Sequence, residues 1–293
     1  MSIALQVALV MVTILVVLLV IGAPIGVAIG MSSAVSMICM IPADVSFATS
    51  AQRIFAGSNS FSLIAIPFFI LAGNIMNNGG IATRLVNCAK VISGRMPGAL
   101  AQSNVVANML FGAISGSGAA AAAAMGGTIG PLEEKEGYDK NYSTAVNVAS
   151  APVGMLIPPS NTMIVYSSVA GSVSIAALFM AGYIPGLLWG GAVMILAGIM
   201  AKKRGYQAEQ RVPVKVALKT FWQAIPSLLL IVIVIGGILG GIFTATEGSA
   251  IAVVYATVLS LIYKAFKIKD IPRIVLEACL LYTSPSPRDT ERS

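Results

Sequence analysis

The sequence has 293 residues, of which 57% are hydrophobic and 10% are charged. A soluble domain carries about 25% charged residues, so this composition excludes an ordinary soluble protein and indicates one that lies in a membrane. The formal net charge is +7, but the basic residues stand in short clusters between apolar segments. Because such clusters orient membrane proteins, we predict the lipid bilayer as a partner and no binding of nucleic acid.

Residue types also exclude common catalytic chemistries. The sequence has no histidine, which removes the Ser-His mechanism of hydrolases. Cys39, Cys88 and Cys279 are far apart, and their spacing fits neither a zinc site nor a disulfide framework. The sequence therefore predicts a protein that is not an enzyme and that holds no cofactor.

Two apolar segments open the chain. Ile3–Ile21 contains only Gln6 and Thr13 as polar residues, and it is long enough to cross about 30 Å of hydrocarbon as a helix. A cleaved signal peptide is the alternative, but it needs basic residues near its start, and Arg53 is the first in the sequence. Gly22–Ile41 is a second predicted span, in which glycines at four-residue spacing favour close packing of helices.

Polar and apolar segments then alternate up to a run of very small residues. Asp44–Ser60 is predicted to be a polar connection, Phe61–Met76 a third span and Asn77–Pro97 a basic loop. Gly98–Pro131 contains the run GAISGSGAAAAAAMGG, and the hydrophilic loop Leu132–Lys140 follows. Such a long run of glycine, alanine and serine in an apolar chain indicates either tight helix packing or non-helical backbone at membrane depth.

A second interruption lies in the next apolar segment. Tyr142–Val169 contains the sequence IPPSN, and its two prolines cannot continue the hydrogen-bond ladder of a helix. We therefore predict two half-helices with an unwound centre, which displays free carbonyls beside Ser160, Asn161 and Thr162. A simple proline kink without a ligand is the alternative.

The last predicted helices comprise three spans and one short amphipathic helix that would lie in the membrane interface. The spans are Ser174–Met200, Ile225–Phe243 and Ser249–Ile262, and the interfacial helix is Val212–Gln223. The last two spans are joined by TATEG, in which Thr244 and Glu247 form a predicted capping pair.

Basic residues predict the topology, because cytoplasmic loops collect Lys and Arg. Their number is three in Asn77–Pro97, six in Lys202–Gln223, four in Lys264–Arg273, and zero in Gly171–Val173 and Thr244–Gly248. Three single crossings between the first two basic clusters would place these clusters on opposite faces. The conflict disappears if Gly98–Pro131 enters the membrane and returns, as a re-entrant helical hairpin with its tip near Ser115–Gly118.

A hairpin tip that faces a broken helix has the outline of a site for a cation and an anion. The carboxyl ends of the half-helices, near Ser115 and Ile157, present negative partial charge to Na+. The amino ends, near Gly118 and Ser160, present positive partial charge to an anion. A tightly packed helix of small residues, without any site, is the alternative.

Six segments carry a resemblance to one family. They are IPFFILAGNIM at Ile66–Met76, GAISGSGAA at Gly112–Ala120, EKEGYD at Glu134–Asp139, IPPSN at Ile157–Asn161, VAGSVSIAALFMAGYIPGLL at Val169–Leu188 and GIFTATEGSAIAVVYA at Gly241–Ala256. In this order they resemble the large membrane subunit of tripartite ATP-independent periplasmic (TRAP) transporters. The resemblance covers almost everything up to about Leu281.

The resemblance implies a fold and a function. The fold is all-α, a polytopic integral membrane protein with a re-entrant hairpin and a discontinuous helix, which form the first half of an inverted-repeat elevator transporter. Family members lie in the bacterial inner membrane and use Na+ as the coupling ion to import an organic acid anion, such as a C4-dicarboxylate or sialic acid. Their partners are a small TRAP membrane subunit and a periplasmic substrate-binding protein.

The resemblance also implies site residues and regions. The predicted Na+ site comprises Ser115, Gly116, Ser117, Gly118, Pro158 and Asn161, and the predicted substrate contacts are Ser117, Ser160, Asn161 and Thr162. The regions are amino-terminal spans of a first repeat (1–97), the transport-site hairpin and broken helix (98–170), a span plus an interfacial arm helix (171–223), the start of a second repeat (224–281) and a non-native tail (282–293).

The sequence departs from the family pattern in three places. It contains one hairpin and one broken helix where the family has two of each, so we expect a carboxy-terminally truncated chain. Ala245 stands where the family pattern suggests proline. The tail, YTSPSPRDTERS at Tyr282–Ser293, resembles translated adapter sequence, with a disordered natural tail as the alternative.

Two other functions remain open at this point. One is a Na+-coupled anion transporter of the same hairpin plan that uses no binding protein. The other is a structural membrane protein that packs through small residues and transports nothing.

Overall fold

The structure, a computed structural model, describes residues 3–171, 173–206 and 213–282. These residues form α-helices, short 3-10 turns and connections, without a strand among them. Four of the described helices are long and apolar enough to cross a membrane, and a bent pair of helices would make a fifth span. The predicted fold class, an all-α polytopic membrane protein, is confirmed. The tail after Tyr282 lies outside the described residues.

The first of two compact units ends at Ser60. It contains α1 (Ile3–Val20), α2 (Ile25–Ile38) and α3 (Ala43–Ser58). Helix α2 packs on both of the others, and the Ser46 hydroxyl of α3 donates to the Ala34 carbonyl of α2 at 2.8 Å.

Helix α3 corrects the prediction of a polar connection over Asp44–Ser60. Pro42 precedes the helix and Asp44 lies in its first turn, where a negative charge is favourable beside the amino end of the helix. The number of polar side chains therefore misled the prediction, since the segment has helix-starting residues and no proline inside.

The glycines of α2 and of the turn before it have no packing neighbour of the predicted kind. A Cβ atom built on Gly22, Gly26 or Gly30 would meet no other described atom within 4 Å, apart from its own helix and neighbours. Close packing of a helix on these glycines therefore stays a prediction.

The second unit begins at Phe61. Its α-helices are α4 (Ala65–Asn78), α5 (Ile81–Ser93), α6 (Ala99–Ser115), α7 (Gly118–Thr128), α8 (Gly130–Lys135), α9 (Lys140–Ser150), α10 (Val153–Leu156), α11 (Asn161–Ala170), α12 (Ile175–Lys203), α13 (Val214–Leu239), α14 (Ala245–Ile262) and α15 (Ile271–Tyr282). Helix α4 packs against α6, α14 and α15, and its residues Phe69 and Met76 are fully buried.

Helix α5 corrects the prediction of a basic loop over Asn77–Pro97. Ile81, Leu85 and Ala89 recur at four-residue spacing and are fully buried, which is the pattern of an amphipathic helix. Arg84 and Lys90 are only partly buried. The three basic residues of the segment therefore belong to the outer face and end of a helix that packs on α6 and α13.

Helix α13 joins two elements that were predicted to be separate. The amphipathic segment Val212–Gln223 and the apolar span Ile225–Phe243 were predicted as two elements, but α13 runs from Val214 to Leu239 and continues through Pro226. The proline removes one backbone N–H, while its carbonyl gains a hydrogen bond from the Tyr255 hydroxyl at 2.8 Å. The predicted boundary between residues 223 and 224 therefore falls inside a helix, and an interfacial position of its first turns stays a prediction.

Contacts between connections confirm the re-entrant hairpin. A Cβ atom on Gly98, before α6, would lie 2.5 Å from the Ala201 Cβ near the end of α12. After the hairpin, the Asp139 carboxylate forms an ion pair with Arg204, also at the end of α12, at 3.0 Å. The segment Gly98–Pro131 therefore begins and ends near the same end of α12, as expected for a hairpin.

The other connections of the second unit are grouped as the basic residues predict: those rich in Lys and Arg lie near one another, and those without basic residues lie near one another. The Arg84 guanidinium lies 3.3 Å from the centre of the Tyr263 ring, next to the third basic cluster. The connections without basic residues also meet, because Ser174 and Thr244 line one cavity. The Thr246 hydroxyl, in the same cavity, donates to the Phe61 carbonyl at 3.1 Å.

We predict that the basic ends of the second unit are cytoplasmic. Single cysteines at Asn87 and Glu136, both exposed, should resist a membrane-impermeant thiol reagent applied to the periplasmic side of a chain whose own cysteines are replaced. A cysteine at Ile242, which is 75% exposed and near the uncharged connection, is the matched control and should react. Labelling of Glu136→Cys together with Ile242→Cys, but not of Asn87→Cys, would contradict the hairpin.

Candidate functional site

The tip of the hairpin is a two-residue break between α6 and α7. Gly116 has φ of +62°, a left-handed conformation that glycine adopts without a Cβ penalty, and its N–H donates to the Gly112 carbonyl at 2.9 Å. Ser117 begins the second arm, and its hydroxyl accepts the Ala120 N–H at 3.3 Å. The tip therefore lies where the sequence predicted it, within Ser115–Gly118.

The second break separates α10 from α11. Ile157 is extended, Pro158 and Pro159 are buried, and the helices on the two sides are bent by 45°. The Ser160 hydroxyl accepts the Met163 N–H at 3.3 Å and donates to the Met155 carbonyl. The predicted pair of half-helices is confirmed, with Ser160 as the residue that caps the second half.

The two breaks contact each other directly. The Asn161 backbone N–H donates to the Gly116 carbonyl at 3.2 Å, and the Asn161 Nδ2 atom lies 3.5 Å from the Ser115 carbonyl oxygen. A Cβ atom on Gly116 would lie 2.9 Å from the Pro159 carbonyl oxygen. Glycine is thus the residue that allows the broken helix to approach the tip.

Several oxygen atoms meet at this junction. Asn161 Oδ1 is buried and has no hydrogen-bond partner among the residues that the structure describes. It is near Gly116, whose added Cβ would lie 3.2 Å from it. Ser115 is fully buried, and its hydroxyl is 3.4 Å from the Ser117 carbonyl oxygen. Oxygen atoms beside the carboxyl end of α6 suit a cation, because that end carries negative partial charge.

The other predicted site residues lie around the junction, with fewer contacts to it. Gly118 is the first residue of α7, and its added Cβ would lie 3.0 Å from the Ala151 carbonyl oxygen. Pro158 is buried beside Pro159, which is the proline that contacts the tip. Ser160 is fully buried with its hydroxyl used in capping. Thr162 is exposed in the first turn of α11.

Three glycines that were not predicted as part of the site, Gly73, Gly112 and Gly154, bring the helices together in two close contacts. A Cβ atom on Gly112 would lie 2.2 Å from the Gly154 Cα atom, and a Cβ on Gly73 of α4 would lie 2.7 Å from the Ser115 Cβ. These distances leave no room for a side chain. Gly73 lies in the segment IPFFILAGNIM, and a single glycine in this apolar helix was the feature of the sequence that could have indicated a close helix contact.

The base of the hairpin contains a second polar region. Glu133 is 1% exposed, and its Oε1 atom has no hydrogen-bond partner within the described part of the chain. Burial raises the pKa of this carboxyl from 4.5 to about 7, and the nearby Ser143 hydroxyl lowers it in part. Glu133 lies in the segment Leu132–Lys140, which was predicted to be a hydrophilic loop, and its burial was not predicted.

Comparison with known proteins identifies one family. The family described as "Tripartite ATP-independent periplasmic transporter, DctM component" matches residues 12–284. The uncharacterized protein YgiK of Salmonella typhimurium is 51% identical over 247 residues, which are 84% of this chain and 57% of that protein.

Two other relatives have functional names. The C4-dicarboxylate TRAP transporter large permease protein DctM of Rhodobacter capsulatus is 38% identical over 253 residues, covering 80% of this chain and 58% of the relative. The isethionate TRAP transporter permease protein DctMQ of Oleidesulfovibrio alaskensis is 44% identical over 213 residues, covering 71% and 33%. The chain thus spans little more than half the length of the curated relatives it matches, or less.

We predict that Gly112→Ala weakens the contact between the hairpin and the broken helix. The new methyl group would meet the Gly154 backbone, so the helices must separate, at a cost of about 1 to 3 kcal/mol. The thermal midpoint of the purified chain in detergent should fall. Gly127→Ala is the control, because its Cβ would meet nothing within 4 Å and alanine favours a helix. Equal midpoints for both variants would contradict the close approach.

A second prediction concerns the pH dependence of stability. The Glu133 pKa is higher in the folded chain than in the unfolded one, so its stabilising contribution is fully present below pH 4.5 and is lost as pH rises through about 7. The loss amounts to at most about 3 kcal/mol. In choline chloride, Glu133→Gln should therefore raise the thermal midpoint at pH 8.5 more than at pH 5.5. The same difference at both pH values would show that this carboxyl does not titrate as described.

Proposed function

Because the chain belongs to the DctM family of tripartite ATP-independent periplasmic transporters, we propose that it works in a large membrane subunit that couples Na+ to the import of an organic acid anion. It is a multi-pass protein of the bacterial inner membrane and a transporter component, not an enzyme. What we propose beyond family membership is that Na+ is the coupling ion, that an organic acid anion is the substrate, and that a small membrane subunit and a binding protein are the partners.

The junction of the two breaks is the observation that supports a Na+ site. Asn161 donates its backbone N–H to the Gly116 carbonyl, while its Oδ1 atom is buried without a partner. A buried polar oxygen without a hydrogen bond is costly, and a cation at this position would remove that cost. The proposed Na+ ligands are Asn161 Oδ1, the Ser115 carbonyl and hydroxyl, and the Ser117 hydroxyl, close to Gly116, Gly118 and Pro158.

The amino ends of α7 and α11 support an anion beside the cation. Both helices begin at the junction, at Gly118 and Asn161, and such ends carry positive partial charge. The exposed Thr162 hydroxyl and the partly exposed Ser117 are the side chains best placed to contact a substrate. Ser160 would act through its backbone N–H, since its hydroxyl caps α11.

The substrate class follows from the chemistry that the relatives' names have in common. The names of two relatives refer to a C4-dicarboxylate and to isethionate, a carboxylate and a sulfonate. Both are small acids with an anionic head group that a helix amino end can bind. We therefore propose an organic acid anion as substrate, delivered by a periplasmic binding protein. The large subunit, in complex with a small membrane subunit, would carry this anion across the membrane by an elevator motion of its inverted repeats.

Two alternatives make different predictions. A Na+-coupled transporter of the same plan without a binding protein would accumulate its substrate when expressed alone. A structural membrane protein would show no thermal stabilisation by Na+. Uptake that requires both the binding protein and Na+ would favour the proposal over both alternatives.

We predict that Ser117→Ala and Asn161→Ala weaken the response to Na+ without abolishing it, because each side chain supplies one ligand among several. The loss of one such interaction, about 1 to 3 kcal/mol, corresponds to a roughly 5- to 150-fold rise in the Na+ concentration for half-maximal uptake. The measurement is uptake by the complete protein with its partners, at several Na+ concentrations.

Ser36→Ala is the control for these variants. Ser36 is 2% exposed, and its hydroxyl donates to the Ser32 carbonyl within α2, so its removal should leave the Na+ dependence unchanged. Parental Na+ dependence in all three variants would mean that the hairpin tip only packs helices and binds no cation.

A further inference from the structure

A cavity of about 340 Å³ lies at the base of the hairpin. It is lined by Asn104 of α6, Gly126 of α7, Glu133 and Glu134 of α8, and Ser143 of α9. The arm α7 has 11 residues, so the cavity lies about 16 Å along the helix axis from the tip. It is therefore separate from the junction with Asn161.

The buried carboxyl of Glu133 faces this cavity without a hydrogen bond to Oε1. The Ser143 hydroxyl is also buried, with no hydrogen-bond partner of normal geometry among the described residues, and it lies beside the Glu133 carboxyl, whose pKa it lowers. Asn104 is 1% exposed, and its Oδ1 accepts one hydrogen bond, from Asn108 Nδ2 at 2.8 Å. A carbonyl oxygen has two lone pairs, so three kinds of oxygen have capacity for a ligand here.

The charges around Glu133 leave its carboxylate without a partner ion. Glu134, Tyr138 and Lys140 are the other ionisable residues that line the cavity, and α6 and α7 contribute none. Glu134 and Lys140 are exposed. Neither of the two ion pairs among the described residues includes Glu133. A buried carboxylate oxygen that lacks a hydrogen-bond partner, in a carboxylate without an ion pair, is costly, and a bound cation would remove this cost.

We propose that this cavity is a second cation site, in which Glu133 Oε1, Ser143 Oγ and Asn104 Oδ1 bind Na+ together with water. The ligands are hard oxygen atoms, which suit Na+ and not a soft metal. A single buried carboxylate supplies one negative charge, which matches a monovalent cation, whereas sites for Ca2+ use several carboxylates. The cation would join α6, α8 and α9, and so would hold the two ends of the hairpin together.

The test is thermal stabilisation of the purified chain by Na+ at pH 8.5, with choline replacing Na+ at constant ionic strength. Because Na+ at the tip would also stabilise the chain, every variant is made both alone and together with Ser117→Ala and Asn161→Ala. Glu133→Gln keeps the size of the side chain but removes its charge. Glu134→Gln is the matched control, since Glu134 lines the same cavity but is exposed.

In the background with the altered tip, Na+ should still raise the thermal midpoint. Glu133→Gln should increase the Na+ concentration for half the effect about 10- to 150-fold, as for a lost interaction with a charged group. Ser143→Ala should increase it about 5-fold, and Glu134→Gln should not change it. If Glu133→Gln does not fold, the site is still tested by Ser143→Ala and Glu134→Gln, because only Ser143→Ala should raise the Na+ concentration for half the effect.

The proposal is overturned if Na+ does not stabilise the chain with the altered tip, or if Glu133→Gln or Ser143→Ala keeps the parental response there. A response that Glu133→Gln weakens but the tip variants leave unchanged would contradict the tip site and support this one. The two sites therefore succeed or fail separately.

Discussion

The hydrogen bond from the Asn161 N–H to the Gly116 carbonyl joins the two interrupted helices of the second unit, and the polar junction between them depends on it. Backbone groups at membrane depth require partners inside the protein. The hairpin tip and the unwound IPPSN segment each leave such groups unpaired, and each supplies partners for the other. Neither break would be stable in the membrane alone, which explains why the chain contains them as a facing pair.

Small residues make this contact possible because they remove the side chains that would separate the backbones. Gly112 lies on Gly154, and Gly73 on Ser115, at distances that leave no space for a Cβ atom. The same closeness brings a helix carboxyl end, two helix amino ends and the buried Asn161 Oδ1 together. Packing and ligand binding are therefore not alternatives here, since the packing of small residues creates the polar junction.

The sequence predicted those parts of the fold in which residue chemistry leaves few choices. Paired prolines and a glycine-serine tip located both breaks, and the distribution of Lys and Arg required the chain to return after the hairpin. Helices α3 and α5 were missed because polar and basic residues outweighed their periodicity. Helix α13 was divided because its first turns are amphipathic whereas the rest is apolar, and this change of pattern was taken as the end of an interfacial helix. The burial of Glu133 depends on which helices fold over it, and local sequence carries no signal for that.

The most direct test of the junction is hydrogen–deuterium exchange at the two breaks, measured by mass spectrometry on the purified chain in detergent. A Na+ ion shared by the two breaks should slow the exchange of backbone amides around Gly116 and Ser117 and also around Asn161, compared with choline at equal ionic strength. Both breaks should respond at the same Na+ concentration, because they bind one ion between them. Slowing at only one break, or at neither, would contradict the account.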